Sequence, residues 1–73
     1  MEKENNNKAI AKIIGAKIKQ LRISQGLTQE QLSEKMRIDN KHLSRIETGV
    51  SLPNIILTNQ LINFFNFNLL IAL

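Results

Sequence analysis

The chain has no cysteine among its 73 residues, which excludes disulfides and thiolate metal sites and fits a reducing cytosol. Its single histidine, His42, has no second imidazole or thiol with which to hold a metal, so no metal site is expected. There is no glycine-rich loop to cradle a phosphate and no nucleophile with a base nearby in sequence. These absences argue against an enzyme and against a cofactor. The start, MEKENNNK, lacks an apolar signal core, so export is not expected and a cytoplasmic location is.

What is present is unevenly distributed. Five basic residues and no acid lie between Lys8 and Arg22, whereas nothing after Glu47 is charged. One half therefore suits phosphate and the other suits protein. The net charge of +4 and pI near 9.9 fit an anionic ligand; alone, they fit a membrane surface or plain solubility as well. The uncharged stretch Ile55 to Leu73 is long enough for a bilayer span. Six of its 19 residues are Thr, Asn or Gln, however, which fits a packed amphipathic helix better than a lipid-facing one. The length allows one domain, burying roughly 60% of its unfolded surface, so a partner would add to a marginal core.

Punctuation divides the chain. Residues 1–7 are polar and Asn-rich and are expected to be a flexible tail; an arm around DNA is the alternative, disfavoured by Glu2 and Glu4. Residues 8–73 then form the domain. Ile10, Ile14, Ile18 and Leu21 recur at helical spacing before Gly26, predicting a first helix from about Lys8 to Gln25, locally weakened by Gly15. Ser51-Leu52-Pro53 precedes a predicted helix from about Asn54 to Phe65, with proline near the first turn where its missing N–H is harmless. Asn66 stands at a helix end, and Asn68 caps a predicted short turn from Leu69 to Leu73.

The densest signal is TQEQLSEKMRIDNKHLSRIETG, Thr28 to Gly49. Thr28 and Gln31 have the spacing of a capping box, so a helix starts there. Leu32 and Met36 form its apolar stripe, with Ser33 small enough for close helix approach. Glu30 and Glu34 share another face, which is expected to be solvated and not an acid/base pair. Asp39 is a good N-cap and Gly49 a good stop, predicting a second helix of about Asn40 to Glu47. At 100° per residue, Leu43 and Ile46 point together, while Lys41, Ser44 and Arg45 lie roughly opposite and Asn40 takes the leading edge. Asn pairs with adenine, and Arg or Lys with guanine, through the major groove. A solvated helix face has the same residue types.

At these residues the chain resembles the helix-turn-helix of the lambda-repressor-like (Xre-type) family of bacterial and phage regulators. The resemblance extends from IGAKIKQLRISQGLTQEQLSEKM through SRIETG and the following Pro53 to INFFNFNLL, roughly Ile14 to Leu70. It implies an all-α fold of four to five helices with the motif at 28–48. It implies base contacts from Asn40, Lys41, Arg45 and Ser44, and backbone contacts from Gln29, Thr28, His42 and Thr48. It also implies a structural ion pair between Arg22 and Glu47. A cation there would offset the unfavourable placement of an anion at a helix C-terminus.

The chain departs from the family pattern twice. Arg37 stands where the turn usually has glycine, costing on the order of 1 kcal/mol if the left-handed conformation is kept. Asp39 replaces a neutral hydroxyl residue at the cap of the second helix, placing an anion close to DNA.

Leu61 and Phe65 are expected in the core. The remaining apolar residues of the C-terminal segment exceed what so small a core should bury, and the resemblance implies a two-fold contact there. Phe67, Leu69, Leu70, Ile71 and Leu73 are the dimer candidates. The reading is a regulator of double-stranded DNA, repressor-like, in which a homodimer reads a palindromic operator. The rival is a protein-interaction module, an antitoxin-like neutraliser or the head of a larger regulator, holding a protein partner by its apolar C-terminal segment. Non-specific nucleic-acid binding is a third possibility.

Overall fold

In the computed structural model, the structure describes residues 2–72, with side chains from Asn7 to Ile71. The first helix, α1 (Glu2–Ser24), buries Ala11, Ile14 and Ile18 and half-buries Ile10 and Leu21. It begins at Glu2, upstream of the expected start at Lys8. Neither glycine nor proline interrupts the sequence before Gly15, so nothing in residues 2–7 stops the backbone ladder. The expected tail is therefore helical in its backbone. At the other end Gly26 takes a φ of 71°, and the Leu27 N–H donates to the Arg22 carbonyl at 3.1 Å, closing the helix in a left-handed turn that glycine adopts without strain.

The capping box forms in full. The Gln31 N–H donates to Thr28 Oγ1 at 3.0 Å and the Thr28 N–H donates to Gln31 Oε1 at 2.9 Å, starting α2 (Gln29–Met36). This helix buries Leu32, Ser33 and Met36 and ends at Arg37, whose φ is 58°. The left-handed turn is thus kept without the glycine. Next comes α3 (Asn40–Glu47), burying Leu43, Ile46 and Glu47. Asp39 precedes it in extended conformation but makes no side-chain cap bond.

Two glycines set how α1 meets α3. A Cβ at Gly15 would collide with the Ile46 carbonyl oxygen and lie 3.0 Å from that of Glu47. The weakness Gly15 brings to α1 thus permits backbone-to-backbone contact with the last turn of α3. Gly49, at φ 83°, leaves no room for a side chain either, since a Cβ there would stand 2.6 Å from Lys12 Cγ. The turn after α3 therefore lies directly against the Lys12 stem.

Asn54 Oδ1 accepts from the Leu57 N–H at 2.7 Å and starts α4 (Ile55–Phe65), which buries Leu57, Leu61 and Phe65. Asn66 ends it in the left-handed region, at φ 54°. A 3₁₀ turn, Leu69–Ala72, then packs back on α1, its Leu70 N–H donating to Asn68 Oδ1 at 3.1 Å. The result is all-α among the described residues: four helices and one 3₁₀ turn around a single core.

Candidate nucleic-acid interface

One carboxylate joins three helices. Glu47, in the last turn of α3, accepts from Arg22 Nε at Oε2 (2.8 Å), and its Oε1 accepts from Arg22 Nη2 (3.1 Å) and Gln29 Nε2 (2.9 Å). Arg22 Nη1 donates onward to the Leu27 carbonyl at 2.7 Å. The side chains of Arg22 and Glu47 are only 11% and 1% exposed. A buried anion at a helix C-terminus is unfavourable against the helix dipole, and here a guanidinium and an amide supply three donors to it. The same contacts fix the first residue of α2 relative to the last turn of α3. The Gln29 to Glu47 bond is not signalled by sequence spacing, because the two residues belong to different helices.

On α3, Leu43 and Ile46 are fully buried. Asn40, Lys41 and Arg45 are exposed, and Ser44 and His42 are half-buried. No intrachain side-chain hydrogen bond occupies Asn40, Lys41 or Arg45 among the described residues. A cationic, donor-rich face of this kind is held outward by a helix whose inner face is locked.

The residues expected to meet the DNA backbone are differently placed. Thr28 is exposed at the N-terminus of α2; its oxygen accepts from Gln31, which leaves the hydroxyl hydrogen for an outside acceptor. Half-buried Gln29 uses one amide N–H on Glu47 and keeps the other. Thr48 is exposed, but its hydroxyl donates to the Ser44 and Arg45 carbonyls at 2.9 and 3.2 Å. Glu30 and Glu34 are both exposed.

The dimer candidates separate. Leu69 is fully buried in the core, so it is corrected from interface to core: the 3₁₀ turn aims it inward beside Phe65 and Leu61 of the same cluster. Phe67 is half-buried, with Lys17 Nζ 4.7 Å above its ring centroid. Leu70 and Ile71 are exposed, Ile71 by 72%. Leu73 lies outside the described residues. Ile71 and Phe67 border a groove of about 700 Å³ with Ile13, Ala16, Lys17 and Gln20 of α1.

A second apolar surface has no counterpart in the sequence reading. Val50, Leu52, Ile55 and Ile56 are all exposed, Val50 by 72%. They lie in the turn between α3 and α4 and the first turn of α4. Four apolar residues broken by Ser, Pro and Asn look like loop and buried helix start in sequence, so only the fold reveals them as surface.

Among the described residues no group of His, Asp and Glu could hold a metal, and no helix is long and apolar enough to cross a membrane. No match was found among curated proteins or among solved structures. The helix-turn-helix family model matches residues 18–70, a span that holds the capped α2, the left-handed turn, α3 with its outward face, and α4. The chain thus belongs to the lambda-repressor-like (Xre-type) helix-turn-helix family of DNA-binding transcription regulators.

Proposed function

We propose that the protein is a sequence-specific regulator of double-stranded DNA that acts in the cytoplasm as a repressor-like homodimer on a palindromic operator. The observation that carries this reading is the outer face of α3, where Asn40, Lys41 and Arg45 project unpaired while Leu43 and Ile46 anchor the opposite side. Inserted in a major groove, Asn40, Lys41, Ser44 and Arg45 face base edges, which carry a distinct donor and acceptor pattern for each pair. Thr28 and Gln29, at the N-terminus of α2, meet phosphate, where free N–H groups and the helix dipole favour an anion. His42 flanks the reading face, and Thr48 stands at its C-terminal end near the backbone, with its hydroxyl already donating to the Ser44 and Arg45 carbonyls.

Dimerisation is supported by Leu70 and Ile71, exposed apolar residues of the uncharged C-terminal segment beside the groove that Phe67 shares with Ile13 and Lys17 of α1. Two-fold symmetry then places half-sites about one helical turn apart, roughly 34–36 Å.

The test is selection of tight binders from randomised duplexes at physiological salt, with wild type and Arg45→Ala. Wild type should enrich an inverted repeat, and Arg45→Ala should lose about 1–3 kcal/mol and relax one position per half-site. Equal affinity and unchanged preference for Arg45→Ala would sink the docking.

The rival reading, a module whose main partner is a protein, is favoured by the second apolar surface at Val50, Leu52, Ile55 and Ile56. It predicts a folded protein that enriches no sequence and binds duplex weakly and with strong salt dependence.

A further inference from the structure

The two ends of the reading helix are provisioned differently. At the α2 side, Thr28 and Gln29 bring hydrogen-bond donors. At the C-terminal side the turn 48–51 has spent its own. The N–H groups of Thr48, Gly49, Val50 and Ser51 donate to the carbonyls of Ser44, Ile46, Arg45 and Arg45, and the Thr48 hydroxyl donates to Ser44 and Arg45. Among the described residues the Ser51 hydroxyl and the Leu52 N–H donate to nothing within the chain, and no cation occurs anywhere from Thr48 to Leu73. Yet a duplex that accepts α3 presents phosphates at both ends of the helix.

The missing charge comes from another element. Lys12 packs its stem on Gly49 so closely that a Cβ at Gly49 would lie 2.6 Å from Lys12 Cγ and 2.9 Å from Lys12 Cα. One turn earlier, Lys8 lines a cleft with Ala11, Gly49, Val50 and Leu52. Both lysines are exposed, and at 100° per residue they fall within roughly 40° of each other on α1. The groove beside Phe67 runs along an adjoining face of that helix, through Ile13, Ala16 and Gln20, centred roughly 90° from the lysine pair on the same wheel.

We infer that Lys8 and Lys12 of α1 form a phosphate-binding ridge that grips the DNA backbone at the C-terminal end of α3, in place of the apolar turn beyond it. The inference rests on the DNA-binding reading above. A lysine stem lying on Gly49 places a flexible ammonium beside the last turn of the reading helix, where it neutralises a phosphate without reading a base. The ridge therefore supplies affinity and register and leaves sequence preference to α3.

The experiment measures affinity of the full chain for one selected duplex over a salt series from about 50 to 200 mM. Wild type is compared with Lys8→Gln, Lys12→Gln and the double variant, which keep much of the aliphatic stem. Lys12→Arg retains the cation, and Lys35→Ala removes an exposed one from the last turn of α2. Each glutamine should lower the slope of log affinity against log salt by about 0.9 per bound copy, with the ranking of single-base operator variants unchanged. Lys12→Arg and Lys35→Ala should keep the wild-type slope.

A double variant with the wild-type slope would overturn the ridge, as would a slope lost equally in Lys35→Ala. If wild type binds duplex but shows no base preference, the sequence-specific reading fails while the slope still decides the ridge. If it binds no duplex, both fall.

Discussion

Glu47 engages Arg22 through both carboxylate oxygens, at 2.8 and 3.1 Å, so the last turn of α3 is tied to the last turn of α1 by a single side chain. Truncation of Glu47 to Ala leaves the buried guanidinium with one carbonyl partner. The expected loss is about 3–5 kcal/mol, a large share of the roughly 5–15 kcal/mol typical of a domain. Urea denaturation checks it; a midpoint equal to wild type would contradict the anchoring role.

At Gly15 two effects oppose each other. Alanine gains about 1 kcal/mol of helix propensity but drives a methyl group into the Ile46 carbonyl. The obstacle is backbone and cannot swing away, so the overpacking cost of about 1–3 kcal/mol should win. Gly15→Ala is expected to melt lower and to bind DNA more weakly, because the end of α3 must shift. A higher melting temperature would mean that α1 and α3 can separate freely.

Arg37 holds a φ of 58° without being glycine. Arg37→Gly should stabilise the protein by about 1 kcal/mol, raising the melting midpoint by roughly 4–8 °C for a domain of this size. Calorimetry gives the answer, and a lowered midpoint would show that the arginine side chain contributes more than its backbone costs.

Asp39 caps α3 by position alone, with no side-chain bond to the helix. Serine can supply that bond, worth about 1 kcal/mol, while losing a favourable charge at the helix N-terminus of about 0.3–1 kcal/mol. Stability should therefore change little. Affinity should rise, since removing an anion near phosphate is worth about 1 kcal/mol at close range in water, or roughly fivefold. Fluorescence titration of Asp39→Ser against a selected duplex at fixed salt would show it, and weaker binding would place Asp39 away from the backbone.

Ile71 projects from the C-terminal turn beside Phe67 and Ile13. Ile71→Glu should abolish a dimer in sedimentation equilibrium while leaving the thermal midpoint of the monomer nearly unchanged, because so exposed a side chain adds little to the core. A dimer that survives this change would move the contact to another surface, with Val50, Leu52, Ile55 and Ile56 the next to test.

The parts of the fold that are legible in the sequence are those governed by neighbours in the chain. Thr28 and Gln31 announce their capping box, Gly26 and Asn66 their left-handed stops, and Leu43 and Ile46 their shared inner face. The start of α1 is hidden because polar composition resembles a tail even where no residue breaks a helix. Leu69 reads as outward because a terminal apolar run carries no periodicity; only the 3₁₀ turn decides that it points to the core and Leu70 and Ile71 do not. On the candidate site, spacing places the outward face of α3. Spacing is silent on the Gln29 to Glu47 bond, the seat of Lys12 on Gly49 and the apolar turn after α3, all of which depend on which helices become neighbours.

The absence of a side chain at Gly15 has an evolutionary consequence. The distance between α1 and α3 is set by main chain, which every sequence shares, and the residues that face outward at positions 40, 41 and 45 lie clear of that contact. These positions can be exchanged without refitting the interior, so, on the proposed docking, a different DNA preference can be acquired by surface substitution alone while the scaffold stays as it is.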